Sequence, residues 1–184
     1  MVMTKDVLFS LTKGGYAPQE EMLEVARKKG KLYIGIPKEM AFQENRVPLV
    51  PDAVALLVNN GHKIVVEAGA GSAAHFEDTD YSEAGAEIVY STDEVYKADI
   101  ILKIAPPTLD EIESMKAKQT LFSALQLTVQ PEDFLKKLVA KKLNCVAFDL
   151  ITDDAGIFPV IRAMGEIAGG TSILVAAELL SNAN

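Results

Sequence analysis

The sequence predicts a doubly wound α/β domain, a mostly parallel sheet with helices on both faces, Rossmann-like or flavodoxin-like in outline. Three observations lead there. Short apolar or β-branched runs alternate with amphipathic segments from Lys31 onward, the rhythm of βαβ units. One of these runs, "DIILKIA" (99–105), is apolar almost throughout, as a strand buried on both sides must be. Apolar residues make up 49% of the 184, and a chain of this length buries roughly 70% of its unfolded surface, enough for one substantial core.

The elements follow in order. Residues 1–30 form an N-terminal extension: "SLTKGGYA" (10–17) is a loop by its glycines, and "PQEEMLEVARKKG" (18–30) is a short helix. Pro18 opens that helix, acids fill its first turn, basic residues its last, and Gly30 stops it. The expected strands are "KLYIGIP" (31–37), "HKIVVEA" (62–68), "EIVY" (87–90), "DIILKIA" (99–105), "TLFSAL" (120–125) and "NCVAFDLI" (144–151). Between them, helices are expected over 51–61, 80–86, 92–98, 108–118 and 131–142. The final stretch, "IRAMGEIAGGTSILVAAELLSNAN" (161–184), reads as a long helix interrupted at Gly169-Gly170, with no partner left in the chain to pack on. That suggests a truncated protein. In such sheets functional groups gather where strands end. Four places qualify: after Pro37, after Ala68, from Lys103 to Pro107, and after Leu125.

Composition excludes some functions. The net charge of −8, with no basic stripe, argues against gripping nucleic acid, which needs clustered Lys and Arg. The single cysteine, Cys145, cannot staple the fold and reads as a buried strand residue. The N-terminus lacks a signal-peptide pattern, and no uninterrupted apolar run reaches 18 residues, so a cytoplasmic protein without membrane contact is expected. His62 belongs to a turn, and His75 has no second ligand at metal-binding spacing, so no metal site is expected.

Two candidates for chemistry compete in "QENRVPLVPDAVALLVNNGHKIVVEAGAGSAAHF" (43–76). Gly69-Ala70-Gly71 follows a strand as a dinucleotide loop should, but the third glycine would fall at Ala74 and "HFEDTD" reads as loop. A turn fits better. Arg46, just past a strand end, sits where a carboxylate would dock, and guanidinium grips a carboxylate through two parallel hydrogen bonds. Its spacing also suits a surface pair with Glu44. Lys103 interrupts an apolar strand before two prolines. Either it is desolvated and handles protons near neutral pH, or its strand lies at an edge and the ammonium reaches water.

"IGIPKEMAFQENRVPLVPDAVALLVNNGHKIVVEAGAG", "YSEAGAEIV", "ADIILKIAPP" and "MGEIAG" together resemble the N-terminal half of the alanine dehydrogenase and pyridine-nucleotide transhydrogenase family, across residues 32–182. The resemblance implies that Arg46 holds the substrate carboxylate. It implies that Lys103 bonds the substrate carbonyl or amine, and that Met164 lines the pocket by the nicotinamide, with Gly165 where a serine would contact cofactor. It implies NAD as cofactor, alanine and pyruvate as substrates, and a homo-oligomer. Residues 31–162 would be the first part of a substrate domain, and 163–184 the start of a helix connecting to an NAD-binding domain absent from this chain. One departure matters: alanine dehydrogenases carry a catalytic histidine where this chain has Gln126, which can hydrogen-bond a carbonyl but not relay a proton. Transhydrogenase α subunits also lack that histidine, which leaves their N-terminal domain as an alternative. "DDAGIFPVIRAMGEIAG" is closer to the dehydrogenase form. A non-catalytic ligand-binding or assembly module is the alternative of another class.

Overall fold

The computed structural model describes residues 30–182, and the fold belongs to the unit that begins at Leu32; the helix expected over 18–30 lies outside the described residues. All six expected strands form, β1 Tyr33–Ile36, β2 Lys63–Glu67, β3 Glu87–Val89, β4 Ile100–Leu102, β5 Thr120–Ser123 and β6 Asn144–Ala147, but the last stops halfway through the expected 144–151, where Phe148–Leu150 turns into a 3-10 helix. They make one parallel sheet in the order β3-β2-β1-β4-β5-β6. That order is the dinucleotide-fold order, in which the chain reverses direction across the sheet between β1 and β4. The flavodoxin-like arrangement is thereby excluded. Ligands in such sheets bind in the crevice at that reversal, beyond the carboxyl ends of the strands.

Alternation along the strands sends side chains into two cores. Ile64 and Val66 of β2 join Ile34 and Ile36 of β1 beneath α1 (Pro51–Asn59) and α2 (Asp78–Glu83), through Val54 and Tyr81. Val65, Ile101 and Leu121 point to the other face, where α3 (Thr92–Val95), α4 (Leu109–Ser114) and α5 (Glu132–Lys141) supply Val95, Ile112, Phe134 and Leu138. Each such aliphatic side chain, fully buried, contributes roughly 1.5–3 kcal/mol. The first core extends from β3 to β4, where Ile100 and Leu102 pack against it; beyond them, Phe122 and Val146 are half-buried.

Three further local expectations change. The helix expected from residue 80 starts at Asp78, inside "HFEDTD", because the N-cap Glu77 and Asp80 form a reciprocal capping box. Cys145 is half-buried rather than buried, since β6 lies at the sheet edge. The last helix, α6 (Pro159–Ser181), runs through Gly169-Gly170 without a break; its remaining residues carry the helical hydrogen bonds past a pair costing about 1 kcal/mol each. α6 also contains a window of mean hydropathy 1.3, long and apolar enough to cross a membrane, and none of its residues is buried. A helix apolar on several sides is one built to be covered.

Candidate functional site

The reversal between β1 and β4 brings three loops together: the one after β1 carries Glu39, Glu44 and Arg46, the one after β4 carries Lys103 and Ile104, and the one after β5 carries Gln126. A cavity of about 490 Å³ opens here, with Arg46, Ile104, Gln126, Phe148, Asp149 and Met164 on its wall. Arg46 and Met164 are 118 residues apart, yet the guanidinium Nη1 donates to the Met164 Sδ at 3.6 Å. Gln126, exposed and in the left-handed region (φ 48°), donates its backbone N–H to Asp149 Oδ2 at 3.2 Å, and Leu125 donates to Oδ1 at 3.3 Å. A larger hollow of about 680 Å³ lies between α1 and α2, but Asp52, Asp80 and Glu83 on its walls make it unfit for an anion.

Arg46 is not free. Its Nε donates to Glu44 Oε1 at 2.7 Å and its Nη2 to Glu44 Oε2 at 2.6 Å, the parallel two-pronged geometry that a substrate carboxylate would use. The local pair expected between Arg46 and Glu44 is therefore formed, and it lies on the cavity wall. Those hydrogen bonds hold the Glu44 carboxyl below its ordinary range, against the opposing pull of partial burial. Glu44 in turn binds the guanidinium proton more firmly, with a small further contribution from the charge of Glu39.

Lys103 is placed differently. β4 is an inner strand, so the edge-strand expectation fails, and the side chain is 1% exposed and absent from the cavity wall. Its Nζ donates to Glu111 Oε1 at 2.6 Å and lies 3.3 Å from Glu39 Oε2. Glu39 Oε1 accepts from the backbone N–H of Ile104 at 2.5 Å, tying the cluster to the cavity wall; its Oε2 has no well-formed hydrogen bond. Glu111 is the N3 residue of α4: its Oε2 accepts from the Thr108 N–H at 2.7 Å, and its own N–H donates to the Thr108 hydroxyl at 3.2 Å. Tyr96 completes the cluster, its buried hydroxyl without a partner in good geometry; burial first, then the charge of Glu111, push its phenol far above the usual value.

Of the residues expected from the sequence, Arg46, Gln126 and Met164 share the cavity, Lys103 lies behind its Ile104 wall, and Gly165 does not reach it. A Cβ at Gly165 would meet nothing within 4 Å. Three site residues, Glu39, Glu111 and Asp149, carry no expectation of their own. For Glu111 a signal exists, since "TLDE" (108–111) spells a capping box, and Glu39 closes "PKE" directly after a strand. Asp149 has none.

The glycine loop does not fit a dinucleotide. It follows β2, away from the reversal, and the Gly69 N–H that would cradle a phosphate donates instead to Asp78 Oδ1 at 2.7 Å. A Cβ at Gly71 would stand 2.6 Å from Tyr81 Cε2 and 2.9 Å from the Phe76 carbonyl oxygen, so its openness is filled by the protein itself. Gly69, at φ 74°, is a turn residue. Among the described residues no cluster of three potential metal ligands occurs.

Residues 35–168 match the family described as alanine dehydrogenase/PNT, N-terminal domain. The chain belongs to that family. It is similar to the alanine dehydrogenase of Staphylococcus saprophyticus, with 38% identity over 149 residues, which cover 81% of this chain and 40% of the relative. It is equally similar to alanine dehydrogenase 2 of Staphylococcus aureus, with 38% identity over 151 residues covering 82% and 40%. Among solved structures, an L-alanine dehydrogenase superposes with a TM-score of 0.74 at 33% identity, over 77% of this chain and 39% of the other. A transhydrogenase from Sinorhizobium meliloti gives a TM-score of 0.61 at 28% identity, over 64% and 35%. The chain thus spans about 40% of the length of its curated relatives.

Proposed function

We propose that this domain is the substrate half of an NAD-dependent alanine dehydrogenase, which interconverts L-alanine, NAD⁺ and water with pyruvate, NADH, ammonium and a proton. Residues 31–162 form the first part of the substrate domain, and the boundary at residue 163 falls inside α6 (Pro159–Ser181), the helix that leads to a cofactor domain. The dinucleotide is held by that further domain, because the glycines of this chain suit packing and a turn.

The observation that carries this reading is the meeting of Arg46 and Met164 on one cavity at the sheet's reversal point. Arg46 takes the substrate carboxylate in place of Glu44, exchanging one carboxylate for another in the same two-pronged geometry. Gln126 hydrogen-bonds the carbonyl oxygen from the rim. Lys103 reaches the carbonyl or amine by giving up its looser partner, Glu39, while remaining on Glu111; an ammonium has three donors, and two of its directions already face carboxylates. Met164 packs against the ligand's apolar side. Holding the reacting carbon in one orientation is what this half of the enzyme contributes to rate.

Alanine-dependent reduction of NAD⁺ by the full-length enzyme tests the reading. Arg46→Ala lowers kcat/KM for alanine by at least about 2 kcal/mol in transition-state binding, the size of a lost charge-assisted pair. Wild-type kcat/KM in that variant removes Arg46 from its role. One observation favours a second reading, a transhydrogenase subunit: Gln126 stands where the dehydrogenases' histidine is expected. An enzyme that passes hydride between nicotinamides and ignores alanine decides for it.

A further inference from the structure

The loop after β5 is clamped by a side chain from outside it. β5 and β6 run parallel with Ser123 opposite Ala147, so the chain leaves the sheet side by side at Leu125–Gln126 and at Phe148–Asp149. Asp149 reaches back across 23 residues: its Oδ2 accepts the Gln126 N–H at 3.2 Å, and its Oδ1 accepts the Leu125 N–H at 3.3 Å. Two successive backbone N–H groups converging on one anion make a concave donor site, and a carboxylate offers each of them an oxygen. On its other side the same loop is tied to the cavity wall, where the Ala124 N–H donates to the Ile104 carbonyl at 3.1 Å.

Gln126 needs such a clamp. Its φ of 48° lies in the left-handed region, which a residue with a side chain holds only where its surroundings over-determine it. The residue is exposed, so side-chain packing does not fix it. Backbone contacts do so instead: the Asp149 carboxylate on its N–H, and the turn in which its carbonyl accepts the Val129 N–H at 3.0 Å.

We propose that Asp149 is a positioning residue for the reaction: its carboxylate clamps the N–H groups of Leu125 and Gln126, holds Gln126 in the left-handed turn, and so fixes where the Gln126 amide stands on the cavity rim. The inference rests on the substrate-domain reading above and deepens it. An amide that must meet a carbonyl oxygen gains from being placed beforehand, since a misplacement of about 1 Å can cost roughly a hundredfold in rate. Opening the clamp lets the turn relax toward negative φ and carries the amide off its station. Asp149 lies on the same wall, but both of its oxygens are engaged by the loop, so its effect on the ligand passes through Gln126.

A double-mutant cycle between Asp149 and Gln126 supplies the experiment. Asp149→Asn is isosteric but keeps a single oxygen, so an amide NH2 faces one of the two N–H donors and the clamp opens. Gln126→Ala removes the positioned amide and leaves both N–H groups. Wild type, the two single variants and the double variant of the full-length enzyme are compared by steady-state kinetics with alanine and calorimetry with pyruvate. Thermal melting and hydrogen exchange over residues 124–127 are measured alongside. Each single variant is expected to lower kcat/KM on the order of tenfold, and the double variant to be no worse than Gln126→Ala alone. Exchange over 124–127 should quicken in Asp149→Asn and change little in Gln126→Ala. If Asp149→Asn lowers kcat/KM as much in the Gln126→Ala background as in wild type, Asp149 acts on the ligand by itself and the proposal is overturned. It is equally overturned if Asp149→Asn only melts earlier, with kcat/KM and pyruvate affinity intact, because Asp149 is then a staple of the fold. Unchanged exchange in Asp149→Asn overturns it without reference to activity, since the carboxylate then does not hold the turn. Gln126→Ala with wild-type kinetics overturns the proposal and spares the substrate-domain reading. A wild-type enzyme that neither oxidises alanine nor binds pyruvate overturns that reading, and the inference goes with it.

Discussion

Two cations stand at the same reversal of the sheet, and they live under opposite conditions. Arg46 is on a loop with its side chain 56% exposed and paired to a carboxylate two residues away. Lys103 is one residue past an inner strand, 1% exposed, between carboxylates that lie 64 residues before it and 8 residues after it. The first pair is assembled locally and exchanges with solvent ions; the second exists only once β1, β4 and α4 have docked. Exposed pairs are worth about 0–1 kcal/mol, whereas breaking a buried one leaves an uncompensated charge and costs several. Arg46 therefore suits a group that must release its partner to take a ligand. Lys103 suits a group that keeps one buried anchor, Glu111, at all times.

The largest effect should come from the buried side. Lys103→Met leaves Glu39 and Glu111 facing each other without a cation, and is expected to lower unfolding free energy by about 3–5 kcal/mol in urea titrations. Combining it with Glu111→Gln removes one of those charges and should recover a measurable part of the loss. If Lys103→Met costs less than the combined variant, the cluster is not held by charge compensation. The exposed side should respond in function and not in stability. Arg46→Lys keeps the charge but loses the parallel fork, so pyruvate affinity should fall about tenfold, or 1.4 kcal/mol. Its unfolding free energy should change by less than about 1 kcal/mol. A stability loss as large as that of Lys103→Met would erase the distinction between the two sites.

Much of this was legible in the residues, and the illegible part has a common cause. Strand positions follow from short apolar runs, and the convergence of Arg46, Gln126 and Met164 is implied by the family resemblance. What periodicity does not contain is strand order. "DIILKIA" reads the same at an edge as at the centre, so whether Lys103 meets water or carboxylates depends on β4 lying between β1 and β5. Glu39 reaches Ile104 across 65 residues for the same reason. Glu111 was half-legible: its capping box is written in four consecutive residues, but the use of its other oxygen is not. The expected break at Gly169-Gly170 failed from the opposite error, a local propensity given more weight than the helix around it.

Glu44→Gln should give the smallest effect and the most specific one. The Glu44 carboxyl is held below its ordinary value of 4.5 chiefly by the Arg46 guanidinium, so its pairing stabilises the fold wherever the unfolded carboxyl is ionised and the folded one is too. That contribution is fully present above about pH 4.5 and is lost as pH falls through the lower folded value. Because Arg46 is more than half exposed, the loss in Glu44→Gln should be under about 1 kcal/mol at pH 7 and should vanish in strong acid. The same change frees one side of the fork, so pyruvate binding measured by calorimetry at pH 7 should tighten a few-fold, on the scale of a surface pair of about 0.5 kcal/mol. Tighter binding with slightly lower stability is what an exchangeable carboxylate requires. Weaker binding would mean that Glu44 orients Arg46 for the ligand, and the contrast between a movable partner here and a fixed one at Glu111 would then be lost.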